Sequence, residues 1–145
     1  MIVFLDFDGV LHPRIGSPAF LPRCMEALAM ALRDFEIEIV VSSSWLQTNH
    51  LPELEAFLAP LGKPVVGVTP KYVSILHSRY NEILQFLKNT GRRDESWLAI
   101  DDDPGLFPGD APVYITNPLS GFQESDVLGV RALLEVRDDK RSEGW

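Results

Sequence analysis

The sequence predicts an α/β fold in which a mainly parallel sheet of about five strands carries helices on both faces. Short runs of β-branched and aromatic residues alternate along the 145 residues with segments whose apolar residues recur every three or four positions. Strands that are separated by helical crossovers pair in parallel and need helices on both sides of the sheet. No linker or change in composition divides the chain, so we expect one domain over residues 1–136 and a frayed polar tail over 137–145.

Five apolar runs predict the strands. The first, IVFLDF at residues 2–7, is apolar at nearly every position, which is typical of a strand buried on both faces. The other predicted strands are residues 38–41, 65–68, 97–100 and 113–116. The predicted helices are one that starts at Pro22 and carries Phe35 on its apolar face, and three over residues 52–58, 78–89 and 125–136. This alternation is that of a three-layer Rossmann-like fold.

Composition and charge exclude several classes of protein. A hydrophobic fraction of 46% is too high for a disordered chain. The 13 Lys+Arg against 21 Asp+Glu give a net charge of −8, which argues against a broad basic face for nucleic acid but not against a nucleic-acid end held by a few local contacts. The single cysteine, Cys24, excludes an internal disulfide and a cysteine-rich metal site. With no signal peptide and no apolar run near the ~18 residues of a membrane span, we expect a cytoplasmic protein.

Carboxylates and hydroxyls directly follow three of the predicted strands. Asp6 and Asp8 follow the first strand, serines from Ser42 onward follow the second, and three aspartates at residues 101–103 follow the fourth. The carboxyl ends of parallel strands form one edge of the sheet, which is where ligands bind in such folds. Carboxylates this close repel one another unless a cation lies among them, and oxygen ligands suit a hard cation such as Mg²⁺. The sequence therefore predicts a magnesium site at this edge.

Several motifs, taken in order, resemble a known superfamily. DFDGVLHP after the first strand, VVSSSW at the second, an Arg–x–x–Glu–Ile run and LAIDDD at the fourth strand resemble the haloacid dehalogenase (HAD) phosphatases. More narrowly, they resemble the small HAD domains that are associated with RNA-repair proteins, and the late TNPLSGF segment is similar as well. The resemblance covers nearly the whole chain and implies a phosphatase.

The resemblance also implies roles for the aspartates. Asp6 would be the nucleophile that forms an aspartyl-phosphate, and Asp8 would be the general acid and base. Mg²⁺ would be bound by Asp6, by the backbone carbonyl of Asp8 and by Asp101. Asp102 would be either a further ligand through water or a group that orients the ligands. Asp103 fits the metal site least well, because Pro104 follows it and it lies farther from the strand end.

Two further phosphate contacts are implied by the resemblance. A hydroxyl just after the second strand is expected to bind the phosphate, and Ser43 is the first choice, with Ser42 second. A cation near the start of a later helix is expected to neutralise the phosphate and hold the nucleophile. Arg79 is the choice for this role, and Lys71 is the alternative.

The loop after the first strand is short. Residues 9–21 leave room for a flap but not for the cap domain that most members of the superfamily carry, so we expect a capless domain. Gly9 and His12 in this loop are candidates for contact with phosphate or substrate, although a plain loop histidine is the favoured interpretation of His12.

We therefore expect a Mg²⁺-dependent phosphate monoester hydrolase with an open site. Such a site suits a large phosphorylated substrate, such as a nucleic-acid end or a phosphoprotein, or a small one covered by a partner subunit in a homo-oligomer. No membrane partner is expected. The alternatives are a receiver-like domain that holds a phosphoryl group, a metal-dependent nuclease and a non-catalytic module that binds phosphorylated ends.

Overall fold

A computed structural model describes residues 1–16, 20–42, 51–71 and 76–143 of the chain. Its strands are β1 (Ile2–Leu5), β2 (Glu38–Val41), β3 (Val65–Val68), β4 (Trp97–Asp101) and β5 (Val113–Ile115). Its α-helices are α1 (Pro22–Leu32), α2 (Leu51–Leu58), α3 (Ser78–Asn89) and α4 (Val127–Glu143). Short 3-10 turns precede β3, follow β4 and lead into α4.

The five strands form one parallel sheet in the order β3-β2-β1-β4-β5. The chain moves outward from β1 to β3 and then crosses back to β4, so the strand order reverses between β1 and β4. Ligands bind beyond the carboxyl ends of the strands at such a reversal. The predicted fold class is confirmed, and in the described part of the chain no cap domain interrupts it.

Helices cover both faces of the sheet. On one face α1, α2 and α4 pack against alternate strand residues, including Val3, Leu5 and Ile39. On the other face α3 packs Ile83 and Phe86 against the intervening strand residues. Burial on both faces explains why the central strands are apolar at nearly every position.

The first strand is shorter than its apolar run suggested. It ends at Leu5 rather than at residue 7, because the backbone N–H groups of Val10 and Leu11 both donate to the carbonyl of Phe7 and turn the chain. This turn starts the loop that carries Asp8. The first helix likewise ends at Leu32, so Phe35 packs against the core from outside it.

The last helix is longer than predicted, and the expected helix end at residue 136 is wrong. Helix α4 continues to Glu143. Arg137 lies on this extension, and its Nε donates to the carbonyl of Trp97 at 2.9 Å while its own carbonyl accepts from the Ser96 hydroxyl. Contacts with the start of β4 therefore extend a helix whose sequence turns polar at that point.

None of the helices in the described ranges has both the length and the apolar character that a membrane crossing requires.

Candidate active site

Continued strand pairing brings the predicted acidic residues together. The N–H of Asp6 donates to the carbonyl of Ile100, the residue before Asp101, and the N–H of Ser42 donates to the carbonyl of Leu5. On the other side of β4, the N–H of Thr116 donates to the carbonyl of Asp101. The residues that follow β1, β2 and β5 and the last residue of β4 therefore stand side by side at one edge of the sheet.

Three carboxylates form a buried cluster at this edge. Asp6, Asp101 and Asp102 are 3%, 1% and 5% exposed, and each offers an oxygen within 4.8 Å of the others. Burial, repulsion from Asp101 and the proximity of Asp102 raise the pKa of Asp6 well above its usual value, against the attraction of Arg79. Burial raises the pKa of Asp101 to about 6, again opposed by Arg79. Ionising these carboxylates is unfavourable unless a positive charge lies among them, so the cluster is suited to bind a cation.

Arg79 supplies the positive charge beside this cluster. Its Nη1 donates to the carbonyl of Ser42 at 2.6 Å, which anchors the guanidinium at the end of β2. Its Nη2 lies 3.8 Å from Oδ1 of Asp6, and its Nε lies 3.3 Å from Oδ2 of Asp101. The Nε–Oδ2 contact lacks hydrogen-bond geometry, so Arg79 attracts Asp101 without satisfying that oxygen.

Asp101 is oriented as a ligand for a cation. Its Oδ1 accepts the backbone N–H groups of Asp102 and Asp103 at 2.8 and 3.1 Å. Its Oδ2 is buried and has no hydrogen-bond partner in the described part of the protein. A buried carboxylate oxygen without a partner is costly unless a cation binds it. The cluster of Asp6, Asp101 and Asp102 therefore fits a divalent cation with oxygen ligands.

Asp102 and Asp103 have other partners. Arg14, from the loop after β1, donates from Nε and Nη2 to both oxygens of Asp102, at 2.7 Å each. Asp103 accepts the N–H of Gly105 and so caps the turn after β4. With both of its oxygens hydrogen-bonded, Asp102 is less available than Asp101 to bind a cation directly.

Asp8 lies beside the cluster and is paired with His12. The distance from His12 Nε2 to Asp8 Oδ1 is 2.8 Å, and His12 Nδ1 lies 2.7 Å from the carbonyl oxygen of Pro13. His12 is 3% exposed, whereas the side chain of Asp8 is 32% exposed. His12 is therefore a buried partner of Asp8, and a contact between His12 and substrate stays a prediction.

Gly9 allows the loop to approach the cluster. Its φ of +76° lies in the left-handed region, and a Cβ at this position would overlap Oδ2 of Asp102. Its N–H donates to the carbonyl of His12, and its carbonyl accepts the hydroxyl of Thr116 at 2.7 Å. What the structure shows for Gly9 is thus close packing against Asp102, and a contact with phosphate stays a prediction.

The other predicted site residues fall as follows. Ser42 is buried and holds Arg79 through its carbonyl, while Ser43 lies outside the described residues. Lys71, the alternative to Arg79, is exposed.

The sequence did not predict the pairing of Arg14 with Asp102 or the contact of Thr116 with Gly9. Thr116 could have been found, because it follows β5 as Asp6 follows β1, but Arg14 is 88 residues from its partner.

Burial of Asp101 predicts how the metal-free protein responds to pH. Its pKa is raised from 3.8 to about 6 by burial, so between these values the folded protein binds more protons than the unfolded chain. The titration of Asp101 by itself should therefore lower the free energy of unfolding in EDTA by on the order of 1 kcal/mol as pH rises from 5 to 7. Urea titrations at both pH values measure this change. Asp101→Asn should have a shallower dependence, and an equal slope in both proteins would contradict the assignment to Asp101.

The fold and this site define the class of the protein. A parallel sheet in this order, with paired aspartates after β1 and β4, is the arrangement of a HAD-type domain. The chain belongs to the family described as the HAD domain in Swiss Army Knife RNA repair proteins, whose model matches residues 2–127. This confirms the resemblance to HAD domains linked to RNA repair. No curated protein and no solved structure matches the chain.

Membership of this family supports a coarse functional statement. HAD domains are generally phosphatase-type hydrolases that use a divalent metal. The buried acidic cluster agrees with that chemistry, because it can bind such a metal.

Proposed function

We propose that the protein is a Mg²⁺-dependent phosphate monoester hydrolase that acts through an aspartyl-phosphate on Asp6. The observation that supports this most is the buried cluster of Asp6, Asp101 and Asp102, in which one Asp101 oxygen lacks a hydrogen-bond partner among the described residues and Arg79 lies beside it. A buried nucleophile next to a cation site suits attack on an anionic phosphate, because the cation offsets the repulsion between the two.

The residues that would hold Mg²⁺ are Asp6, Asp101 and the backbone carbonyl of Asp8. Asp102, which Arg14 holds through both oxygens, would orient the site or bind the ion through water. When bound, Mg²⁺ would neutralise charge on the nucleophile and on the phosphate oxygens. Oxygen ligands at the end of parallel strands suit this hard ion better than a softer one.

The reaction has two steps. An oxygen of the Asp6 carboxylate attacks phosphorus, an O–P bond forms, and the bond from phosphorus to the leaving oxygen breaks. Asp8 donates its carboxyl proton to that leaving oxygen. In the second step Asp8 accepts a proton from a water molecule whose oxygen attacks phosphorus. The O–P bond to Asp6 then breaks, inorganic phosphate is released and the Asp6 carboxylate is regenerated.

The substrate class we propose is a large phosphorylated molecule, since the described residues contain no cap domain. An open edge favours a phosphate carried by a large molecule, and the family's link to RNA repair favours a nucleic-acid end over a phosphoprotein. With a net charge of −8, the protein would bind such an end through local cations such as Arg14 and Arg79 rather than through a basic surface.

The test is phosphate release from p-nitrophenyl phosphate in Mg²⁺ and in EDTA. We expect turnover in Mg²⁺, its loss in EDTA and its recovery when Mg²⁺ is restored. Quenching the reaction with borohydride should convert the aspartyl-phosphate to homoserine at position 6, which peptide mass spectrometry detects. A phosphorylated Asp6 that does not turn over would indicate a phosphoacceptor domain, and the absence of both signals would overturn the proposal.

Arg79 is expected to bind the phosphate in this site. Arg79→Met should lower kcat/KM by about 100-fold, because the charge beside the nucleophile is lost. Arg79→Lys should recover little, since the anchoring bond to the Ser42 carbonyl and the contacts with Asp6 and Asp101 use three different nitrogens. Lys71→Met is the comparison that decides whether Arg79 or Lys71 binds the phosphate. A larger loss in Lys71→Met than in Arg79→Met would reverse the assignment.

A further inference from the structure

Backbone hydrogen bonds and aromatic packing both restrain the pair of Asp8 and His12. The loop turns back on itself so that Asp8 and His12 form an isolated parallel bridge, and the Gly9 N–H donates to the His12 carbonyl at 2.9 Å. The imidazole stacks on Phe20 with ring centres 6.2 Å apart, and Phe20 in turn packs edge-on against Phe7 at 5.0 Å. The position of the imidazole is therefore set by both backbone and packing.

The hydrogen bonds of His12 also determine which ring nitrogen faces Asp8. A carbonyl oxygen can only accept, so Nδ1 must donate its N–H to the carbonyl of Pro13. Nε2 is then the atom that shares a proton with Oδ1 of Asp8 at 2.8 Å. A hydrogen bond on one ring nitrogen is a common way to orient the other.

Packing restrains the carboxyl group of Asp8 less than it restrains those of Asp6 and Asp101. Asp6 and Asp101 are almost completely buried, whereas a third of the Asp8 side chain is exposed. Packing confines a partly exposed carboxyl group less than a buried one, and proton transfer demands that the group stay within hydrogen-bond reach of the leaving oxygen. His12, itself buried, presents a fixed nitrogen to one of the two Asp8 oxygens.

We propose that His12 is a positioning residue that holds the Asp8 carboxyl group in place for proton transfer to the leaving oxygen and from the attacking water. This inference rests on the proposed phosphatase function and adds to it a residue outside the carboxylate cluster. His12 acts only through Asp8 and does not itself touch phosphorus or the leaving group.

The test compares two substrates whose leaving groups differ in how much they need to be protonated as they depart. The p-nitrophenolate leaving group departs readily as an anion, whereas the alkoxide of β-glycerophosphate needs protonation as its bond to phosphorus breaks. His12→Leu fills the buried space but removes the hydrogen bond. It should lower kcat/KM, which reports the first step, by about 100-fold on β-glycerophosphate and by less than about 5-fold on p-nitrophenyl phosphate.

Two further variants separate positioning from packing. His12→Gln places an amide nitrogen near the position of Nε2, so it should recover at least about a tenth of the wild-type kcat/KM on β-glycerophosphate. Adding His12→Leu to Asp8→Asn should cost little more than Asp8→Asn alone, because His12 acts through Asp8. If His12→Leu fails to fold, as judged by its melting curve, the comparison of His12→Gln with wild type on the two substrates takes its place.

The outcomes distinguish the two proposals. Equal losses on both substrates, or full additivity of His12→Leu with Asp8→Asn, would overturn the role of His12 and leave the phosphatase proposal standing. A wild-type protein that releases phosphate from neither substrate in Mg²⁺ would overturn both.

Discussion

Replacing Asp6 with asparagine should abolish phosphate release while the protein stays folded. We expect kcat on p-nitrophenyl phosphate to fall by at least about 1,000-fold, because an amide oxygen cannot form the acyl-phosphate of the proposed reaction. The fold should tolerate the change, since asparagine has nearly the same shape and carries no charge among Asp101 and Asp102.

The same variant should be at least as stable as the wild type in EDTA. Burial and the neighbouring Asp101 raise the pKa of Asp6, which means that the ionised carboxylate is disfavoured in the metal-free protein. Asparagine removes that cost, so the melting temperature in EDTA should rise. Mg²⁺ should stabilise the wild type by binding the folded state, and this gain should shrink in Asp6→Asn.

A matched control separates the site from general charge effects. Asp94→Asn makes the same change at an exposed residue before β4, at the opposite end of the sheet from the cluster. It should leave both kcat and the Mg²⁺-dependent rise in melting temperature within error of the wild type. Activity in Asp6→Asn above about a tenth of the wild-type rate would contradict the assignment of Asp6 as nucleophile.

Replacing Gly9 with alanine has the largest expected effect on stability. The φ of +76° disfavours any residue with a Cβ, at a cost of about 1 to 2 kcal/mol. The added Cβ would also overlap Oδ2 of Asp102, which is buried and held by Arg14. Relieving that overlap should cost about 1 to 3 kcal/mol more. We expect a loss of about 3 kcal/mol in the free energy of unfolding, measured in urea.

Gly9→Ala should also reduce activity beyond what its stability predicts. Asp102 can make room for the Cβ only by moving, which breaks its two hydrogen bonds with Arg14 and shifts the loop that carries Asp8. Gly109→Ala is the control, because its φ is not positive and no atom lies within 4 Å of the added Cβ. It should change stability by less than about 0.5 kcal/mol. Similar effects of the two variants would show that the close approach at Gly9 is unimportant.

The strand ends explain why much of the site could be predicted. β2, β3 and α3 have the bounds that the sequence predicts, because alternation of apolar runs and turn residues is local information. Once the strands are parallel, their carboxyl ends coincide, and Asp6, Asp101 and Asp102 must meet. The motif around Asp6 and Asp8 then agrees with the family model that matches residues 2–127.

Contacts between distant loops could not be predicted in the same way. Arg14 and Asp102 are 88 residues apart, and Thr116 and Gly9 are 107 residues apart. Both contacts join the loop after β1 to residues after β4 and β5, and no local pattern encodes such a pairing. The burial of His12 was not predicted for a related reason, since Phe20 packs against it only in the folded protein.

The sequence by itself determined the order of strands and helices and the carboxylates that the sheet delivers to one edge, because these depend on residue pattern along the chain. Only the tertiary structure decided which of those carboxylates keeps an oxygen for a cation. Among the described residues Oδ2 of Asp101 has no hydrogen-bond partner, although Arg79 Nε lies 3.3 Å away, whereas Arg14 occupies both oxygens of Asp102 and His12 binds Asp8. The physical reason is that the hydrogen bonds of a buried carboxylate are set by whichever donors the folded loops bring to it.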